Sequence, residues 1–322
     1  MPMSHFSNFL NGVTVRGVPI QQLFPGKVFY VNNNSSVPFV GGIVGSDNSV
    51  KGDLKAPFAS LDFAVGKCVA GRGDIIIVGP GHAETISSAT ALNLDVAGVC
   101  ILGQGHGNSR PTFTLDTAAS ATIPVSADNI AIKNCIFSAN FADITALFSV
   151  AAAKNFCVED CYIKATATNM NFLNVVDTNA TSNAADGLSL INNVWIEPDA
   201  ATLSLINMDG TNDRVVIQDN YVNLGVNNNK AALITIATGK IATNIRIVKN
   251  RVYRLNTDTA TGAILLHTDG TTNTGIVAEN FAQHADTAAE LLITASSGLG
   301  CFDNKASGVA GASGYLLPAA DS

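Results

Sequence analysis

A chain of 322 residues with 47% apolar content holds enough nonpolar material for a large core, yet charged residues make up only 13%, against a usual share of about 25%. The net charge of −7, with no Lys/Arg cluster, argues against a nucleic-acid phosphate backbone as partner. No run of 18 apolar residues marks a membrane span, and Met1 to Asn11 lacks the basic start and apolar stretch of a signal peptide, so synthesis as a soluble cytoplasmic chain is expected.

Residues 1–27 are apolar at Phe6, Phe9, Leu10, Val13, Val15, Val18, Ile20, Leu23 and Phe24, but Gly12, Gly17, Pro19, Pro25 and Gly26 interrupt them. Such an arm cannot build a core alone and needs another surface to cover it. Lys27 to Val31 reads as a strand and residues 32–55 as a polar loop. After Pro57, the apolar residues Phe58, Leu61, Val65, Cys68 and Val69 fall at helical spacing before Gly71 and Gly73, predicting a helix that plugs the end of the core. Strands are expected at Asp74–Val78, Val99–Leu102 and Thr112–Leu115.

From residue 130 one phrase recurs seven times: two apolar residues one apart, two mostly polar residues, a Cys or Asn, a variable residue, and another apolar or small one. Its Cys/Asn column is Cys135, Cys161, Asn193, Asn220, Asn250, Asn280 and Asn304, with intervals of about 24 to 32 residues. A second column, aligned as Phe148, Asn174, Ile206, Ile234, Leu266 and Ile293, drifts in step with the first and implies two strands per repeat. Alternation of period two within units of this length predicts a solenoid whose coils bury their apolar faces only against each other. The expected fold is an all-β, right-handed, single-stranded parallel β-helix. Small polar residues at a tight bend can adopt the left-handed conformation, and Asn side chains stacked roughly 4.8 Å apart can hydrogen-bond from coil to coil. In this reading residues 1–50 form an arm and attachment region, 51–73 a capping helix, 74–308 the β-helix and 309–322 a C-terminal tail.

Candidate chemistry is sparse. The six cysteines read as free structural thiols: Cys157 and Cys161 lie four apart without a second Cys or His pair to complete a zinc site. Asp177 and Asp209 are the leading candidate pair, because equivalent positions on adjacent coils would bring their carboxylates within roughly 5 Å, the retaining-glycosidase separation. The competing reading makes Asp209-Gly210-Thr211 and Asp269-Gly270-Thr271 turn openers that accept backbone hydrogen bonds two residues on. Asp269 and His267 lie further along the same column, and Arg214 and Lys240 just after it. Gly103-Gln104-Gly105-His106-Gly107 follows a strand but runs into Asn108-Ser109-Arg110-Pro111, which makes it a glycine turn rather than a phosphate loop. Glu279, His284, Asp286 and Glu290 match no metal spacing and read as a solvated loop.

Gly73-Asp74-Ile75-Ile76-Ile77-Val78-Gly79-Pro80-Gly81-His82-Ala83-Glu84-Thr85-Ile86, preceded by the helix and by Phe29-Tyr30-Val31, resembles the opening of the pectin-lyase-like β-helix superfamily. The Asn250-type repeats are similar to that superfamily's coils, so the resemblance covers residues 28–308. It implies the architecture, which enzymes and inert structural proteins share. The lyases' calcium-binding carboxylate cluster and the polygalacturonase pattern of clustered Asp, His and Arg-x-Lys have no counterpart here. In the arm, Phe9-Leu10-Asn11-Gly12-Val13 followed by Gly17-Val18-Pro19-Ile20 resembles leaders of tailed-bacteriophage virion proteins.

These observations lead to the expectation of a non-enzymatic phage virion protein, a capsid decoration, head fibre or spike. It would be homotrimeric, held to other capsid or tail proteins by residues 1–50, and would use no catalytic, cofactor or metal residue. The alternatives are a tailspike-like depolymerase, a glycoside hydrolase or lyase acting through Asp177 and Asp209, and a non-catalytic solenoid that binds a host surface glycan.

Overall fold

The computed structural model describes residues 14–15, 18–19, 26–37, 39, 43–48, 51–197, 202–224, 232–253, 264–267, 273–284, 293–294, 298–308 and 313–315. Across them the chain winds as a parallel β-solenoid with three strands per coil, one on each of three long sheets. Sheet 1 has ten strands, running from Val28–Val31 and Ile75–Val78 to Leu299–Phe302. Sheet 2 has ten, beginning at Ala83–Ile86 and Thr112–Leu115, and sheet 3 has seven, from Ile123–Val125 to Ile293–Thr294. Thr14–Val15 and Val18–Pro19 form a separate antiparallel pair.

The repeated phrase therefore spans two strands and the bend between them, where two strands per repeat were expected. Ala131–Lys133 lies on sheet 1 and Ile136–Ala139 on sheet 2, with only Asn134 and Cys135 between. Every later coil turns this corner in the same two residues, and the first of the two is left-handed: Asn134, Asp160, Asn192, Asp219, Lys249, Glu279 and Asp303 have φ between 52° and 59°. The expectation put the Cys/Asn column itself in that conformation. The structure gives the strain to the preceding residue, because a left-handed residue swings the chain sharply and lets the next side chain point inward.

The inward residues are the predicted ladder. Asn193, Asn220, Asn250, Asn280 and Asn304 are buried, and each of the first four donates Nδ2 to the next Oδ1, at 3.1 Å for the first pair and 3.0 Å for the other three. Each Nδ2 also donates to a carbonyl of the preceding coil, for example Asn250 to Ile217 at 2.9 Å. Each Oδ1 accepts the backbone N–H of the column residue before it, so the buried amides are satisfied on both sides. Cys135 and Cys161 continue the column as small buried groups, as expected.

Inside, coils stack like upon like. Trp195 is fully buried in register with Ile163 and Val222. Phe113, Phe137, Phe148 and Phe156 form a chain of ring contacts with centroids 5.6, 5.1 and 5.2 Å apart. On sheet 3 the register differs from the expected one: Phe148 sits opposite Val176, which sits opposite Ile206 and then Ile234. The sequence alignment slipped by two residues because Asn174, Val175 and Val176 are all buried, so alternation fails at the start of that strand.

The capping helix is shorter than expected, Leu61–Val65. Phe58 is held in extended form, donating its N–H to Tyr30 O at 2.8 Å and bridging Val31, so helix can start only after Ser60, whose hydroxyl caps Phe63 N–H. Gly66 ends it, and Val69 is exposed rather than inward. The helix packs on the first two strands of sheet 1 and closes the end of the core with Leu61, Ala64 and Val65. Asp74 fastens this cap: it is buried, forks Arg72 at 2.6 and 2.7 Å, and accepts the N–H groups of Lys27 and Val69 at 2.7 and 2.8 Å. At the other end, Ser313–Tyr315 from the expected tail adds an antiparallel strand beside Lys305–Gly308.

Candidate functional site

Asp177 and Asp209 both project from sheet 3, but not from equivalent positions. Asp177 lies opposite Ser149 and Asn207, while Asp209 lies two residues beyond Asn207 on the next coil. Asn207 joins them: its Nδ2 donates to Asp177 Oδ1 at 2.8 Å and Asp209 Oδ1 at 3.2 Å. Partial burial pushes the Asp177 carboxyl up; the Asn207 bond opposes this and the Asp209 charge adds to it. The expected turn-opening bond appears one coil earlier, where Thr181 N–H donates to Asn179 Oδ1 at 2.9 Å. The Asp209 backbone N–H instead donates to Thr178 Oγ1 at 3.1 Å. Gly210 is required here because a Cβ would stand 2.5 Å from Thr181 O and 2.7 Å from Asn179 O.

The cations expected near this pair are engaged elsewhere. Arg214 pairs with Asp213 at 2.6 Å, and Lys240 Nζ donates to Ala180 O at 3.4 Å. Asp213 also accepts from Asn244 and Thr243, and these bonds with Arg214 hold its carboxyl below the usual range. Asp269, Asp286 and Glu290 lie outside the described residues, as do the side chains of His267 and His284.

The glycine run turns its carbonyls toward the next coil. Asn134 Nδ2 donates to Gly103 O at 2.8 Å and Gly105 O at 3.0 Å, and a Cβ on Gly103 would meet Asn134 O at 2.3 Å. All six cysteines are free, with burial pushing the thiols up, that of Cys161 to about 12. Among the described residues, no three His, Cys, Asp or Glu side chains gather as a metal site.

A second location was not singled out from the sequence. The bend between sheets 1 and 2 leaves a hollow of about 730 Å³ lined by Asn192, Asp219, Asn220, Tyr221, Lys249, Arg251, Glu279 and Phe281. Two smaller hollows share residues with it: one upstream reaches Asn134 and Arg110 through Asn192, and one downstream reaches Asp303 and Lys305 through Glu279 and Phe281. Together they make a trough along the solenoid. One wall is the left-handed bend column and the other the outward residues of sheet 2. The available signal was that the residue before every Cys/Asn is polar or charged, and that Tyr221, Tyr253 and Phe281 recur after the column.

No protein-family model matches the chain, and no curated protein matches its sequence. Among solved structures it is similar to a rhamnogalacturonan lyase, with 16% identity and a TM-score of 0.43 over 80% of this chain and 69% of that one. It is similar to the Streptococcus pneumoniae surface protein and adhesin PfbA, with 13% identity and a TM-score of 0.44 over 77% and 75% of the two chains. A third similar structure is Geobacillus virus E2 ORF18, with 11% identity and a TM-score of 0.28 over 76% and 57%. The solenoid rests on the strand pairings themselves.

Proposed function

We propose that this chain is a non-enzymatic structural protein of a bacteriophage particle, a stiff rod that assembles as a homotrimer and is held to the particle by residues 1–50. The observation that carries the assembly is the outward face of sheet 1. Residues that alternate with the buried Ile76, Ile101, Ile132 and Val158 include Ile75, Ile77, Cys100, Leu102, Ala131 and Cys157, none of them charged. Leu102 is 39% exposed, Ile276 40% and Phe302 49%. Lys133 and Glu159 also point outward from this face but neutralise each other as an ion pair, and the exposed Arg246, in register with Ile276, donates to Gln218 at 3.3 Å. Ten strands spaced about 4.8 Å and crossed by rows of about 3.3 Å per residue give a projected face of roughly 560 Å². Side-chain relief adds accessible area, bringing the face close to the roughly 800 Å² per partner of a standard interface.

The axial amide ladder supports the rod role, because a continuous satisfied network resists bending and slippage between coils. The particle assignment rests on the resemblance of the arm. Sedimentation equilibrium at micromolar concentration should give three times the chain mass, and Leu102→Glu combined with Cys157→Glu should give a folded monomer. A monomeric wild type would refute the interface. Mass analysis of purified virions, with the chain missing, would refute the particle role, and deletion of residues 2–27 should leave a folded solenoid that no longer enters particles.

A second reading follows from the raised Asp177 carboxyl beside Asp209: depolymerisation of a surface polysaccharide, with one carboxyl as acid and the other as base or nucleophile. Release of reducing ends or unsaturated sugars by the wild type, lost in Asp177→Asn and Asp209→Asn, would establish it over the structural reading.

A further inference from the structure

The amide ladder ends on a rung that is not closed. Each column residue from Cys161 to Asn280 gives its backbone N–H to the side-chain oxygen of the Asn one coil further on. Among the described residues, Asn304 has no such Asn beyond it. Its Nδ2 donates once, to Val277 O at 2.8 Å, where each earlier ladder amide donates at least twice. Among the described residues, the Asn304 N–H and the second Nδ2 hydrogen find no acceptor, although the residue is only 2% exposed. Buried donors left unmade are costly, so this rung needs an acceptor from further along the chain or from another chain.

The core is open at the same place. Leu299 and Cys301 carry on the inward columns of sheet 1, in register with Gly275 and Val277. Ile217, Ile247 and Val277 on these columns are fully buried, whereas Leu299 and Cys301 are only partly covered. At the other end the solenoid closes with the apolar side chains of the helix and with the carboxylate of Asp74, which takes two stray N–H groups. A cover for the C-terminal end has to bring the same two things, an apolar side chain and an acceptor.

Strand register says which residue arrives there. Lys305 N–H donates to Asn280 O at 2.8 Å, so the polar groups of residue 305 face the preceding coil and those of 304 and 306 face away from it. Ser313–Tyr315 runs antiparallel on that far side, with Ala306 opposite Gly314 and Lys305 opposite Tyr315. Bonded pairs alternate along an antiparallel ladder, so the pair of 306 with 314 is followed by 304 with 316, and directly opposed side chains share a face.

We propose that Leu316 closes this end of the solenoid as a strap. Its carbonyl accepts both Asn304 donors, as the Asn250 Oδ1 accepts both from Asn220 one coil earlier in the ladder, and its side chain covers Leu299 and Cys301. Leu317 then faces solvent, and Pro318, which has no N–H to give, ends the pairing. The chain itself is favoured over a second copy because Tyr315 already stands beside Lys305, one residue short of the ladder, so no association cost is met. The strap is independent of the sheet 1 face and of residues 1–50, so its failure would leave the proposed rod standing.

The test follows two readouts in the full chain: alkylation of Cys301 by N-ethylmaleimide, mapped by peptide mass, and hydrogen exchange at the Asn304 amide. Leu316→Asp sets a charge against the end of the core and should speed both by at least about tenfold, with Trp195 emission unchanged because the central coils stay folded. Leu317→Asp should leave both within about twofold of the wild type, since that side chain points out. Leu316→Ala should fall between the two, and it decides the matter if Leu316→Asp alters Trp195 emission. Equal rates in the wild type and both Leu316 variants, or a larger effect from Leu317→Asp, would overturn the proposal. So would protection of Cys301 that grows with protein concentration and ignores Leu316, which would assign this end to a second copy.

Discussion

Replacing Asn250 with Ala tests whether the amide ladder holds the coils together. The side chain donates to Ile217 O at 2.9 Å and Asn280 Oδ1 at 3.0 Å, and accepts from Asn220 N and Asn220 Nδ2, both at 3.0 Å. Alanine keeps the backbone bond from residue 250 to Asn280 Oδ1 but strands two donors of Asn220 in a buried column. At about 1–3 kcal/mol for each buried donor left unmade, the expected loss is roughly 3–5 kcal/mol. Asn193→Ala is the internal comparison. It starts the ladder, accepting the Cys161 N–H at 2.9 Å, and the residue below it contributes a thiol rather than an amide. Only one donor is stranded, so its loss should be about 1–3 kcal/mol. Urea unfolding followed by circular dichroism gives both values, provided the slope is unchanged, since a solenoid that loses one coil can come apart in steps. A loss under about 1 kcal/mol for Asn250→Ala, or equal losses at the two sites, would refute the ladder as a source of stability.

Trp195 is the only tryptophan and fully buried, so native fluorescence should be blue-shifted, and Trp195→Ala should cost about 3–5 kcal/mol. Among the described residues its Nε1 has no hydrogen-bond partner, so Trp195→Phe should cost much less, and a red-shifted native spectrum would contradict the register. The raised Asp177 carboxyl favours the protonated form in the folded state, so stability falls as pH rises through a window above the ordinary value of 3.8. Asp177→Asn should therefore stabilise at pH 7 by up to about 1 kcal/mol, and the gain should vanish below that window in pH-dependent melts. For Asp74, burial raises the carboxyl but the Arg72 fork and two backbone donors outweigh it, and the carboxyl is held low. Its contribution is present above the unfolded value and lost as pH falls through the folded one, so hydrogen exchange at Val69 and Lys27 amides should accelerate at acid pH before the central coils open.

The solenoid was legible because a coil repeats the same environment at every turn, and the sequence repeats with it. Ile132, Val158, Leu190 and Ile217 stand on one inward column and Asn193 through Asn304 on another, so copying alone exposed both. What failed to read out were places where local geometry breaks period two. Val175 is buried beside buried neighbours, and that doubled inward run hid the sheet 3 register and with it the true neighbour of Asp177, which is Asn207. The cap failed for a different reason: Phe58 has helical spacing with Leu61 and Val65, but its backbone is captured by Tyr30, a partner 28 positions away that no local pattern reports.

The bend also explains why the candidate trough escaped the sequence. One two-residue corner has two outputs. Its second residue turns inward and builds the ladder, which is read easily because burial enforces a narrow choice of Asn or Cys. The first residue turns outward in the left-handed conformation, which tolerates Asn and Asp best but also accepts Lys249 and Glu279. A column of Asn, Asp, Lys and Glu looks like ordinary solvent-facing variety until the corner is seen to align it. The ladder fixes the spacing of those outward groups as firmly as it fixes its own, because each bend residue is bonded directly to a ladder residue. A rigid interior thus makes a regular exterior, and that link joins the rod's stability to the shape of its trough.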